Sequence, residues 1–310
     1  MRKDYKIKTE DGFGYIPIYE GFDLDLEIVD IQLDELKIYP KDFTDLLKDK
    51  LSTEESNILK TSFDIIGDIV IVEIPEDLES KKSDIGKATL EFTKRKSVYM
   101  KRSAVHGETR IRDLELIAGE DNAVTIHKEH GVRLQLNVEE VYFSPRLAAE
   151  RKRVADSVKN NEKILDMFCG IGPFPIVIAR TKNVDITACD INEAAIKYLN
   201  KNIKLNKLEG SIKTICSDVR KVDFADEKYD RIIMNLPGIA YQFLDIAAKH
   251  ISDNGMINYY EFSDDFKQGT ERLQKAVEAE GKTVEIINTR KVKSTSPRMW
   301  HVAIDGKVHY

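Results

Sequence analysis

The chain has three cysteines, one tryptophan and no long apolar run. Each shortage removes a class of protein. Its longest apolar stretches, such as Ile69–Val72 and Phe174–Ala179, fall far short of the roughly 20 residues a membrane-spanning helix needs. The opening Met1-Arg-Lys-Asp-Tyr-Lys holds no apolar signal core, so no export and a cytoplasmic location are expected. Cys169, Cys189 and Cys216 lack metal-ligand spacing and cannot all pair. Each lies in or beside an apolar strand-like run, so they read as buried thiols in a reducing compartment. His106, His127, His130, His250, His301 and His309 show no H-E-x-x-H or similar spacing. They read as structural or surface groups, and no metal is expected.

Positive charge is also in deficit overall. A net charge of −6 excludes a uniformly basic nucleic-acid binder. Its distribution is uneven. From Glu20 to Asp45 there are nine acids against two lysines, whereas Thr93–Arg112 holds seven bases (Lys94, Arg95, Lys96, Lys101, Arg102, Arg110, Arg112) against Glu108. A second basic run is Arg146…Arg151-Lys152-Arg153. Either run alone can be a solvated face. Two in succession can also supply the local positive potential that a polyanion needs.

The rhythm of the chain divides it into three: a small N-terminal module over 1–55, an α+β middle domain over 56–142, and an α/β domain over 143–310. In the first, Gly14–Ile18 and the alternating Asp23–Ile31 read as strands, followed by a helix over Lys41–Leu51. The second opens with the β-branched Ile65–Ile74 and a helix over Glu79–Arg95, then four short strands. In the third, a helix starting at Pro145 with Ser144 as its cap precedes strands alternating with helices. That alternation predicts a doubly wound, mainly parallel sheet whose last strand runs antiparallel.

Ile164-Leu-Asp166-Met-Phe168-Cys-Gly170-Ile-Gly172-Pro173 joins a strand to a helix through a glycine loop. Pro175 stands where a dinucleotide fingerprint carries its third small residue. Asp166 would repel a pyrophosphate but suits a cationic cofactor. Asp190 ends the next strand, where an acid can accept both hydroxyls of a ribose, although it can also cap a helix. Asp218 follows the third strand, placed for an adenine amino group with Val219 flanking the ring, or as a turn residue. Asp166, Gly170, Gly172, Asp190 and Asp218 at three successive strand ends match the class I (Rossmann-like) methyltransferase pattern with S-adenosyl-L-methionine (AdoMet) as cofactor. The fourth strand ends in Asn235-Leu-Pro237-Gly, a turn recurring where such enzymes modify an amino group or ring nitrogen.

At these residues the chain resembles a particular family, the archaeal and eukaryotic tRNA (guanine-37-N1)-methyltransferases of the Trm-five type. The likeness rests on Tyr15-Ile-Pro-Ile, Lys101–Glu115, Val141-Tyr142-Phe143-Ser144-Pro145-Arg146-Leu147 with Glu150-Arg151, Asn235-Leu-Pro237 and Lys291–Pro297. It covers nearly the whole chain. The resemblance implies a seven-stranded methyltransferase domain behind an RNA-facing middle domain and a small module that touches the outer corner of tRNA. That module is short here. Tyr-Phe-Ser-Pro-Arg-Leu is the most specific segment.

The resemblance also implies roles. Glu150 would be the general base for N1 of guanosine 37, and Arg110 would stabilise charge on O6. Asn235 would hold the base edge or cofactor, Pro237 would shape the turn, and Tyr142 would pack on the flipped base. Arg151 would meet the AdoMet carboxylate, with Asp190, Ile191, Asp218 and Val219 around its nucleoside. Lys94, Arg95, Lys96, Lys101, Arg102 and Arg146 would meet tRNA. A monomer is implied. A related wyosine-pathway enzyme, transferring a methyl or aminocarboxypropyl group to the tricyclic base at position 37, is the alternative. A non-catalytic RNA-binding module would be expected to lack one of Asp166, Gly170, Gly172 or Asn235, and all are present.

Overall fold

The computed structural model describes residues 2, 4–19, 21, 25–36, 40–104, 107 and 109–310. Glu20, Asp23, Leu24, His106 and Glu108, named above, lie outside them. Near the N-terminus, β1 (Lys8–Glu10) and β2 (Phe13–Tyr15) pair antiparallel. Asp11 and Gly12 between them both have positive φ, as a two-residue hairpin turn of the mirror-image type requires. The strand expected over Asp23–Ile31 is not formed by its described residues. Leu26 and Ile28 are 72% and 61% exposed, so these alternating positions are not buried against the described residues.

A short 3₁₀ turn over Phe43–Leu47 replaces the expected helix and leads to α1 (Thr53–Ile58). Ser52 and Glu55 form a reciprocal capping box at its start. Phe43, Leu47, Leu51 and Leu59 share one core with Val70, Val72, Leu78, Ile85 and Val98. The division expected at 55 therefore cuts a single core, and this segment belongs with the second unit. That unit holds β3 (Phe63–Ile66), β4 (Ile69–Val72), α2 (Lys82–Thr93), β5 (Ser97–Lys101) and β6 (Leu114–Gly119) in sheet order β3-β4-β5-β6. Helix α2 makes the crossover between the parallel pair β4 and β5.

The hairpin of β7 (Val124–Glu129) and β8 (Val132–Asn137) was expected in the middle domain. Its inner residues Val132, Leu134 and Leu136 lie in a core shared by Ile176, Leu199 and Ile186 of the C-terminal unit and Ile66, Ile69 and Tyr99 of the second. The division expected at 142 falls within that core as well. Buried Asn202 fixes the hairpin in place. Its Oδ1 accepts from Gln135 N at 2.7 Å, and its Nδ2 donates to Gln135 O at 3.2 Å and to Ile171 O, in the glycine loop, at 3.1 Å.

The C-terminal unit continues with α3 (Ala148–Ser157), β9 (Lys163–Asp166), α4 (Pro173–Ala179), β10 (Asp185–Asp190), α5 (Glu193–Leu205), β11 (Ser211–Cys216) and β12 (Tyr229–Met234). Then come α6 (Leu244–His250), β13 (Ile251–Ser263), α7 (Lys267–Ala279), β14 (Thr283–Ser296) and β15 (Met299–His309). The seven strands lie in order β11-β10-β9-β12-β13-β15-β14. All neighbours are parallel up to β13, and β15 runs antiparallel between β13 and β14. The α/β architecture expected from strand-helix alternation is the one observed. The sheet reverses its winding between β9 and β12, and ligand sites of open α/β sheets form outside the strand ends at such a point. Cys169 and Cys189 are buried as expected, whereas Cys216, on edge strand β11, is exposed.

Asn202→Leu should leave the Gln135 and Ile171 backbone groups unpaired in the core. The expected loss is roughly 3 kcal/mol of stability, read by chemical denaturation, with faster amide exchange in β8 than elsewhere in the unit.

Candidate active site

The loop after β9 turns sharply because Gly170 and Gly172 both take positive φ. A Cβ on Gly172 would meet Leu199 Cδ1 at 2.2 Å, so glycine there lets α4 seat against α5. Gly170 instead lines a cavity, together with Asp190, Ile191, Asp218 and Val219 from the next two strand ends and Asn235 and Pro237 from the fourth. Arg110, Tyr142, Phe143 and Arg151 line it as well. The structure thus brings most of the sequence-predicted site residues into one cavity.

The acids there differ in what they still offer. Asp190 accepts from Gly170 N at 2.7 Å and Asn192 N at 2.9 Å, and its burial raises its pKa. Asn192, not Asp190, caps α5. Asp218 is gripped by its neighbour Arg220, whose Nη2 lies 2.6 Å from Oδ2, which lowers its pKa. An amino group binding at Asp218 must share the carboxylate with that arginine. Asp166 lies under the loop rather than on the cavity surface. Its Oδ1 accepts from Phe168 N at 3.2 Å, and its buried Oδ2 has no partner. Burial, with Asp190 adding to it, pushes this carboxyl up to about 8. A buried acceptor without a partner, set beneath two further carboxylates, fits a cationic nucleoside cofactor.

Arg151 lines the cavity but is already occupied. Its Nε and Nη2 donate to the Glu129 carboxylate at 2.6 and 2.5 Å, and its guanidinium also reaches Ser144 O at 3.2 Å. Glu129 lies on the hairpin and was not among the sequence candidates. A contact from Arg151 to a cofactor carboxylate, as the resemblance implies, therefore competes with a buried ion pair.

Arg110, also in the lining, sits at φ +53° with its guanidinium centre 5.7 Å from the Tyr142 ring centroid. A Cβ on Gly238 would lie 3.4 Å from its Nη1, so the arginine spans from the second unit to the Asn235-Leu-Pro-Gly turn. Burial lowers its pKa. Asn235 Oδ1 is buried and unpartnered, and Pro237 O accepts from Phe262 N at 3.1 Å, which fixes the turn.

Glu150 departs from expectation. It is 2% exposed and does not line the cavity. Arg153 grips it through Nη2 at 2.6 Å and Nε at 3.0 Å, and the Tyr260 hydroxyl donates to it at 2.8 Å. The Tyr260 ring in turn packs against Phe174 and His301, two residues of the cavity wall. Glu150 thus stands one side chain behind the wall. Helix α3 turns it toward β13, while Arg151 faces the cavity. Ser144 provides no side-chain cap, and its Oγ accepts from Lys293 at 3.3 Å. Lys293 and His301, neither of them among the sequence candidates, both line the cavity. The signal for His301 is its place two strands from the Asn235 turn, which a linear sequence does not display.

The basic run of the second unit is split by β5. Lys94, Arg95 and Lys96 are exposed at one end of the strand, with Lys96 3.6 Å from Asp68. Lys101 and Arg102 are at the other, on the order of 15 Å away. There Lys101 pairs with Glu73 at 3.5 Å, and Arg102 clamps Glu79 and Glu115. Arg146 is paired with Asp64 at 2.6 Å. Lys101, Arg102 and Arg146 thus carry ion pairs of the fold, and a phosphate contact from them must compete with those acids.

A glycine-looped seven-stranded sheet with an acidic nucleoside wall defines a class I AdoMet-dependent methyltransferase. Residues 125–287 match the TRM5/TYW2 methyltransferase domain and residues 43–122 the TYW2 N-terminal domain. Both stretches begin close to where packing places the unit boundaries. The chain is 42% identical to a tRNA (guanine(37)-N(1))-methyltransferase Trm5b of Pyrococcus abyssi, over 99% of this chain and 92% of the relative. The crystal structure of Trm5b from that organism superposes with a TM-score of 0.85 at 41% identity, over 100% of this chain and 93% of the other. A solved complex of aTrm5 and tRNALeu matches with a TM-score of 0.82 at 39% identity, over 99% and 92%. A tRNA(Phe) (4-demethylwyosine(37)-C(7)) aminocarboxypropyltransferase of Pyrococcus horikoshii is 31% identical over 85% of this chain and 95% of its own length. The chain belongs to the TRM5/TYW2 methyltransferase family.

The raised Asp166 carboxyl gives a signed pH effect. A cationic ligand favours the ionised form, so below about pH 8 its binding must expel a proton. AdoMet affinity should therefore rise from pH 6 to pH 8, by at most about tenfold per unit, and flatten above. Titration calorimetry checks this, and Asp166→Asn should remove the dependence.

Proposed function

We propose that this chain transfers the methyl group of AdoMet to N1 of guanosine 37 in tRNA. The observation that carries this reading is the shared cavity: Arg110 of the second unit reaches the Asn235-Leu-Pro-Gly turn of the sheet, in the cavity that Asp190 and Asp218 also line. The full-length likeness to enzymes named for this reaction supports it. We extend it to a cytoplasmic monomer working without metal.

AdoMet, when bound along Gly170, Asp190, Ile191, Asp218 and Val219, supplies an already activated methyl group. The chain's task is alignment and charge. N1 of guanine is a poor nucleophile until its proton leaves, and the negative charge that then spreads to O6 would face Arg110. Tyr142 and Phe262 offer apolar faces to the extruded base. Glu150 would take the proton only after tRNA binding opens its bond to Tyr260. Arg153 and Asp305 stay paired at 2.6 Å behind it. Lys94, Arg95 and Lys96 would meet the tRNA backbone, with Lys101, Arg102 and Arg146 recruited from their ion pairs.

Labelled AdoMet with a tRNA transcript carrying guanosine 37, beside a twin carrying adenosine there, tests the reading. Label should enter the first alone, and equal label in both would overturn it. Glu150→Gln should slow single-turnover methyl transfer about 100-fold or more with AdoMet affinity unchanged. Retained rate would make Glu150 a scaffold residue of the Arg153–Tyr260 cluster.

A further inference from the structure

Two lining groups of the cavity present buried polar atoms without a protein partner: Asn235 Oδ1 and His301 Nε2. His301 is 2% exposed, on β15, opposite Phe262 in one register pair and Lys293 in the other. Its ring is held edge-on by Tyr260 at 5.4 Å and Phe262 at 5.7 Å, so its orientation is fixed by packing. A hydrogen-bonding nitrogen locked in place without a partner is costly unless something that enters the cavity completes it.

The charge around it limits what that can be. Burial, with Lys293 and Arg110 nearby, pushes the imidazole down to about 3, so the ring is neutral at working pH. A neutral imidazole offers one lone pair. Arg110 and Lys293 already supply donors near the ring, so its lone pair joins Asn235 Oδ1 as an acceptor of this cavity. With O6 of guanine on Arg110, two kinds of N–H remain on the same edge: N1–H and the 2-amino group. N1 must keep its in-plane direction open to the incoming methyl, and it ends the reaction with no hydrogen. Only the 2-amino group can hold one acceptor from binding through transfer.

Resting on the guanosine-37 reading above, we propose that His301 is a specificity-determining residue that accepts a hydrogen bond from the 2-amino group of the target guanine. The pocket then reads guanine by polarity: a cation for O6, and neutral acceptors, His301 and Asn235, for the amino side. Adenine, with an amino group in place of O6 and hydrogen at C2, is mismatched at both.

The test pairs a protein change with deletion of the same group from the base. tRNAs with guanosine or inosine at position 37, assembled by ligation, are compared in single-turnover methylation by wild type, His301→Leu and His301→Gln. Thermal melting and AdoMet affinity monitor folding. Wild type should prefer guanosine over inosine about tenfold or more. His301→Leu should lose about that factor on guanosine and little further on inosine, so the preference collapses. His301→Gln, which retains an acceptor, should recover part of it, and serves alone if the leucine variant does not fold. Equal loss on both substrates, or an unchanged guanosine preference in both variants, overturns the proposal while leaving the guanosine-37 reading intact. Wild type that leaves guanosine 37 unmethylated removes that reading and the proposal with it.

Discussion

The site depends on one buried ion pair, Arg151 with Glu129. The two side chains are 1% and 4% exposed and meet through two parallel hydrogen bonds. Arg151 belongs to α3, Glu129 to the β7–β8 hairpin, and the same guanidinium reaches the carbonyl of Ser144 and lies 5.0 Å from the centre of the Phe143 ring. The hairpin and the segment from Phe143 into α3 are thereby fixed to each other at the cavity. Burial opposes the charge on Glu129, but His127 and Arg151 outweigh it and lower its pKa. Breaking such a pair by removing one partner leaves the other charge stranded, which costs far more than the pair itself contributes. Its value here is in geometry: it sets where Phe143 and Ser144 stand.

The cavity lining carries both signs of charge. Asp190 and Asp218 line it at the ends of β10 and β11, with Asp166 buried at the end of β9, while Arg110 and Lys293 bring positive charge to the same lining. The neutral members, Asn235 and His301, lie where a hydrogen-bond pattern rather than net charge can be read. Behind the wall, Glu150, Arg153, Tyr260 and Asp305 form a closed polar cluster that holds β13 and β15 against α3.

Much of this was legible in the chain because it depends on neighbours in sequence. Gly170 and Gly172 turn a strand into a helix through local backbone requirements, and Pro145 opens the segment that leads into α3. Acids at successive strand ends converge because parallel strands place those ends on one side of the sheet. The divisions expected at 55 and 142 run through packed cores, since composition does not say that Phe43 shares a core with Val70 or Val132 with Leu199. The basic runs were legible as charge, but not the ion pairs that hold Lys101, Arg102 and Arg146.

The sequence by itself determined the methyltransferase sheet, its cofactor loop and the presence of Arg110 and Asn235 as candidates, because period and turn chemistry are properties of short segments. Only the tertiary structure decided that Glu150 faces inward while Arg151 faces the cavity. One step along a helix rotates a side chain by about 100°, and packing alone selects which residue points where. The same holds for His301, which reaches the Asn235 turn because the last strand inserts between two earlier ones, a neighbour relation set by hydrogen bonds across the sheet and not by distance along the chain.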